Sequence, residues 1–210
     1  QSILIFISVA SMILGAVAAI GQTNIKRLMA YSSISHMGYG LAGLTTGINE
    51  GVTASVLYIF LYVVMNIGSF TCILIMKRKD IYLENIRDLS GLSKNHPLVA
   101  FCLTVMLFSL AGIPPLAGFF AKFYIFMAVV KADLIILAVI GLVTSVISAF
   151  YYLRIIKIIY FDPEQEKFDP ISSKGVKISL SLKVNVNFSS LNIKLYLFKT
   201  GEFLRVKTLF

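Results

Sequence analysis

The sequence has no tryptophan, two cysteines and ten acids among its 210 residues. Without tryptophan, one of the usual anchors at a membrane–water boundary is missing, and ten tyrosines are left for that place. Cys72 and Cys102 both fall inside long apolar runs and read as small apolar residues rather than as a disulfide. There is no phosphate-binding glycine loop, no metal-ligand cluster and no His/Cys/Ser nucleophile arrangement. Gly38-Tyr39-Gly40-Leu41-Ala42-Gly43 follows no strand, so its glycines read as helix packing. The chain is therefore expected to hold no metal and no nicotinamide, flavin or iron–sulfur cluster. No signal-peptide pattern precedes the first apolar run, and Gln1 rather than Met opens onto it. The sequence is expected to begin part-way through a larger protein.

What the chain does have is apolar length. It is 58% hydrophobic with a mean hydropathy of +0.86, outside the soluble globular range. The net charge of +9 raises nucleic acid as a partner, but the bases sit mostly in loops between apolar runs, which is a membrane-topology pattern. The expected fold is an all-α integral membrane protein of about five transmembrane helices, the fourth discontinuous, followed by a polar basic tail. The spans are placed at about 3–20, 28–46, 53–76, 98–131 (broken at 112–115) and 134–160. Residues 1–160 form the membrane unit and 161–210 the tail. The Lys26-Arg27 connection, the Lys77–Lys94 loop and the segment after the last span then share one face, and only Glu50, Lys131 and Asp133 mark the other. The positive-inside rule puts the basic face, tail included, in the cytoplasm or mitochondrial matrix. In the tail, Ile178, Leu180, Leu182, Val184, Val186 and Phe188 alternate with polar residues, which fits a strand and fits an unstructured segment equally.

The broken span carries the main chemical candidate. Leu98–Lys131 is too long for one straight crossing and too short for two with a loop. Gly112, Pro114 and Pro115 interrupt it, because adjacent prolines remove backbone donors. Lys122 lies in its second half among Phe119, Phe120, Phe123, Tyr124 and Phe126. Lys131, the nearest base, is about 13 Å of helical rise away, more than a lysine stem spans. Snorkelling to an interface is thus the weaker reading, and a buried amine that binds and releases a proton is the stronger. His36, mid-way along the second span, suits a relay, with a packing histidine bonded to nearby hydroxyls as an equal alternative. Lys26 is placed against a water-filled inlet or as a topology charge. Asn66 is expected to make an interhelical hydrogen bond, Asp88 to be a solvated loop acid, and Arg154 and Lys157 to snorkel.

Gln22-Thr23-Asn24-Ile25-Lys26-Arg27-Leu28-Met29-Ala30-Tyr31-Ser32-Ser33-Ile34-Ser35-His36-Met37-Gly38-Tyr39 closely resembles a signature of the antiporter-like subunits of respiratory complex I, the proton-pumping NADH:quinone oxidoreductase. Ala111–Tyr124, with Gly112-Ile113-Pro114-Pro115 and Lys122, resembles that family's second broken helix. Asn66–Phe70 and Tyr151-Tyr152-Leu153-Arg154 point to its subunit N branch (subunit 2 in mitochondria). The likeness covers about residues 1–160. It implies the second of two inverted five-helix repeats in a fold that moves protons along buried lysines, a histidine, a glutamate and water. By position, Lys122 matches the broken-helix lysine on the route to the outer face, and Lys26 and His36 match positions beside the polar axis. NADH, FMN, iron–sulfur clusters and quinone would belong to other subunits.

The same resemblance implies partners: other membrane subunits of complex I, the lipid bilayer, and a chain supplying the first repeat. No nucleic acid is expected, from the placement of the bases, and the resemblance implies a bacterial or mitochondrial inner membrane as the location. The chain departs from the family in lacking the first repeat and in a tail too polar for the last transmembrane helix. A tail read out of frame is one account of that departure. The alternatives are a subunit of a multisubunit cation/proton antiporter or membrane-bound hydrogenase, and a non-conducting structural fragment.

Overall fold

A computed structural model describes residues 1–78, 81–82 and 84–163. The expectations for the tail beyond 163 lie outside the described residues. Four elements are long helices: α1 Ser2–Ile20, α2 Ile25–Leu44, α3 Asn49–Ile75 and α7 Ile135–Phe161. The broken span is two shorter helices, α5 Pro97–Ala111 and α6 Ala117–Lys131. Between α3 and α5 lie a small hairpin, β1 Lys77–Arg78 with β2 Ile81–Tyr82, a 3₁₀ turn Ile86–Leu89 and the single turn α4 Leu92–Asn95.

α1, α3 and α7 are long and apolar enough to cross a bilayer by composition alone. α2, at 20 residues, has the length for about 30 Å of rise but carries Ser32, Ser33, Ser35 and His36, so it needs protein neighbours to cross. It has them, because Ser32, Ser35, His36 and Tyr39 are all buried. Apolar surface stays exposed on α1 (Ile3, Phe6, Val17), α3 (Val56, Phe60, Ile67) and α7 (Ile136, Val146, Phe150), where lipid is an acceptable solvent.

The helix starts are explained locally. Asn24 caps α2, its side chain accepting from the amides of Lys26 at 2.9 Å and Arg27 at 3.1 Å. α5 starts with Pro97 in its first turn, where the missing N–H costs nothing. Asp88 is not a free solvated acid. With Asn85 it forms a capping box on the 3₁₀ turn, accepting from the Asn85 amide at 3.1 Å.

Apolar side chains gain little by leaving lipid for one another, so helix association rests on close backbone approach. α1 and α2 show it best. A Cβ on Gly38 would stand 2.7 Å from Met12 Cγ and 2.8 Å from the Met12 amide nitrogen. Asn66 does not behave as expected. Its Oδ1 is buried without a hydrogen-bond partner among the described residues. Cys72 and Cys102 are buried and form no disulfide.

Gly38→Leu is expected to force α1 off α2 and greatly reduce recovery of the chain in folded, membrane-assembled form. Gly21→Leu, where a Cβ meets nothing within 4 Å, should leave recovery near normal. Quantitative immunoblotting of purified membranes compares the two.

Candidate functional site

The break in the fourth span is closed by backbone geometry. α5 ends at Gly112 with φ 84°, and the amides of Gly112 and Ile113 turn back to Phe108 O at 3.2 and 3.1 Å. Glycine is required there because φ is positive, and a Cβ would also sit 3.2 Å from Lys122 Cδ. Pro114 and Pro115 then prevent the helix from resuming until Ala117. The start of α6 lies against the end of α5, where the Gly118 amide donates to Ser109 Oγ at 3.1 Å.

Such a break leaves carbonyls at the end of α5 without helical partners. Lys122 supplies them. One turn into α6, its Nζ donates to Leu110 O at 3.2 Å, Ala111 O at 3.3 Å and Ser145 Oγ of α7 at 2.9 Å. The negative end of the α5 dipole faces the same ammonium. The Tyr39 ring covers the group, its centroid 5.0 Å from Nζ. Lys122 is only 4% exposed, so the snorkelling reading fails on geometry. Of the aromatic residues near it in sequence, Phe119 packs on Phe120 and Phe123.

His36 is fully enclosed by tyrosines from three helices. Its Nδ1 meets Tyr58 Oη of α3 at 2.6 Å and its Nε2 meets Tyr152 Oη of α7 at 3.2 Å. Tyr62 stacks on the imidazole at 4.8 Å and Tyr39 approaches edge-on at 5.9 Å. Tyr39 therefore touches both candidate groups, and its hydroxyl is fixed by Thr144 Oγ1 at 3.2 Å. The structure brings Lys122 and His36 into one polar cluster with Tyr39 between them.

Lys26 stands apart from that cluster. Its Nζ pairs with Glu84 Oε1 at 2.7 Å at the partly exposed end of the bundle, 5.8 Å from the Tyr82 ring centroid. Asn24 Nδ2 holds the other Glu84 oxygen at 2.8 Å. Backbone bonds from Ile25 N to Glu84 O and from Ile86 N to Thr23 O stitch the α3–α5 loop onto the α1–α2 connection. Arg154 does not snorkel freely. It donates from α7 to Ile20 O at 3.1 Å and Gln22 O at 3.5 Å. At the opposite end Lys131 pairs with Glu50 at 2.7 Å, so both ends of the bundle are tied.

Residues 1–148 match the NADH:quinone oxidoreductase/Mrp antiporter transmembrane family. The chain belongs to this family. NADH-quinone oxidoreductase subunit N of Pelagibacter ubique is 57% identical over 206 residues, which is 98% of this chain and 42% of that protein. The same-named subunit of Parvibaculum lavamentivorans is 63% identical over 168 residues, 80% of this chain and 35% of that one. Respiratory complex I from Thermus thermophilus superposes with a TM-score of 0.82 at 29% identity, over 93% of this chain and 44% of the matched chain. The chain thus spans less than half the length of these relatives. It is an all-α integral membrane protein of the antiporter type. The Pelagibacter match takes in nearly the whole tail, which is at odds with a tail read out of frame.

Sequence reasoning did not single out Tyr39, Tyr58, Tyr152, Ser32 or Ser145 as partners. Ser32 and Tyr39 were detectable, since they lie at i−4 and i+3 from His36 on one helical face. Tyr58, Tyr152 and Ser145 come from other helices and carry no local signal.

The Glu84 carboxyl is held below the usual carboxylate range, chiefly by its hydrogen bond from Lys26 and then by that from Asn24. A lowered folded value means that the clamp stabilises above the ordinary carboxylate value and is lost as pH falls through the folded value. Glu84→Ala at neutral pH should therefore speed amide hydrogen exchange at Ile25 and Ile86, and leave the mid-helix amides of α2 unchanged. Acidification of the wild type should produce the same pattern after correction for intrinsic rates.

Proposed function

We propose that this chain is part of a proton-translocating membrane subunit of an NADH:quinone oxidoreductase, with Lys122 as a proton carrier and His36 as its neighbour on the route. The observation that carries this is the Lys122 ammonium, buried in a bundle that spans the membrane and held by carbonyls freed at a helix break. Ionisable groups at such depth mark ion pathways by default. A lysine held by two carbonyls, a hydroxyl and an aromatic face keeps its proton while those contacts last. It gives the proton up when a small movement of α6 removes them, because desolvation disfavours the charged form. His36, with a tyrosine hydroxyl at each ring nitrogen, can receive or supply that proton in either tautomer.

The names of the curated relatives support complex I over a cation/proton antiporter or hydrogenase, although the family takes in Mrp antiporters as well. No observation favours a non-conducting fragment. The partners are other membrane subunits and the segments that make up the rest of the relatives' length, including the first repeat. NADH, FMN, iron–sulfur clusters and quinone are handled elsewhere in the complex. The end of the bundle with Lys26, Arg27 and Arg154 faces the cytoplasm or matrix, and the end with Glu50 and Lys131 faces outward. Lys26, paired with Glu84, serves this reading as a positioning residue at the inner mouth.

In the assembled complex, Lys122→Ala is expected to remove most proton movement per NADH oxidised. Lys122→Arg should fail similarly, because a guanidinium does not deprotonate. Normal pumping in either variant, with the subunit present at wild-type level, contradicts the assignment.

A further inference from the structure

Tyr152 is fully buried in α7, and its hydroxyl lies between two partners on α2. It meets His36 Nε2 at 3.2 Å and hydrogen-bonds Ser32 Oγ. On the far side of the imidazole, Nδ1 meets Tyr58 Oη at 2.6 Å. Packing does not account for the hydroxyl. The Tyr152 ring lies against His36 at 6.5 Å and Tyr151 at 4.6 Å, contacts a phenylalanine would also make. A hydroxyl at this depth is costly unless it is used.

The string Tyr58–His36–Tyr152–Ser32 has two directions. A neutral imidazole has one N–H and one lone pair, so its two tyrosines cannot both donate to it. In one direction Tyr58 donates to Nδ1, Nε2–H donates to Tyr152 and Tyr152 donates to Ser32. In the other, Ser32 donates to Tyr152, Tyr152 donates to Nε2 and Nδ1–H donates to Tyr58. From the second arrangement, a proton arriving at Ser32 Oγ sends the serine's own proton to Tyr152 Oη, which passes its proton to Nε2. The product is an imidazolium donating to both tyrosines, with Ser32 and Tyr152 neutral again and one positive charge moved.

The string also has a bearing. α2 starts at the end of the bundle that holds the Lys26–Glu84 pair, so Ser32 is about 6 Å nearer that end than His36. Ser33, beside it, accepts from Tyr62 at 2.7 Å, and Tyr62 stacks on His36. We propose that Tyr152 is the relay residue joining His36 to Ser32, which gives this repeat its own polar step toward the basic end. The inference rests on the proton-carrying reading above.

The test is Tyr152→Phe in the assembled complex, with protons moved per NADH oxidised as the readout and Lys122→Ala measured alongside. Tyr152→Phe should lower the ratio severalfold at normal subunit content. Ser32→Ala should do the same, and Ser32→Thr, which restores the hydroxyl, should recover it. That rescue is not expected of a purely structural contact. Wild-type pumping in Tyr152→Phe with pumping lost in Lys122→Ala overturns the relay and leaves the functional reading standing. Wild-type pumping in both overturns both. Should Tyr152→Phe not assemble, the Ser32→Ala and Ser32→Thr pair decides: equal pumping in the two overturns the relay.

Discussion

The structure depends on one unmet requirement, the carbonyls left at the end of α5 inside a bilayer. Exposed backbone polar groups are not tolerated in hydrocarbon, so a helix can stop at that depth only where something else takes its bonds. Here the answer is a charge. Lys122 reaches back to Leu110 O and Ala111 O, and Ser109 Oγ accepts from the first turn of α6. The break and the lysine require each other. Without the ammonium the α5 carbonyls would be orphaned, and without the carbonyls a buried amine would be uncompensated. Gly112 leaves room for both, and Ser145 and Tyr39 bring α7 and α2 to the same point.

Around that point the molecule divides into held ends and an adaptable middle. The basic end is tied by Asn24, Lys26 and Glu84 and by Arg154 on Ile20 O and Gln22 O, and the opposite end by Lys131 and Glu50. Between them lie histidine, tyrosines and serines whose hydrogen bonds can reverse without moving a backbone. That is a suitable division of labour for proton movement, since only hydroxyl rotations and small shifts of α6 are needed while the bundle stays in register. The relatives are more than twice as long as this chain, so in the proposed function the cluster is one section of a longer route.

Much of this was legible in the sequence. Apolar runs and Gly112, Pro114 and Pro115 located the spans and the break, because hydropathy and backbone restriction are local properties. Lys122 stood out for the same reason, since no other base lay within reach along its helix. What was not legible came from other helices. Tyr152 is far from His36 in sequence, and no period links them. Asp88 and Arg154 looked like ordinary loop and terminal charges, yet Asp88 caps its own turn through an Asn-x-x-Asp spacing that was there to be read, and Arg154 binds carbonyls of α1 and the α1–α2 connection that only tertiary packing brings to it. Asn66 erred in the other direction. A polar residue in a span suggested a bond, and packing left its oxygen without one.

The most direct test of the central claim is a density map of the assembled complex at a resolution that shows individual carbonyls and ordered water. Lys122 Nζ is expected within hydrogen-bonding distance of Leu110 O and Ala111 O, under the Tyr39 ring and beside Ser145. A Lys122 side chain turned to lipid or to the outer surface, with the α5 carbonyls satisfied by other groups, would contradict it.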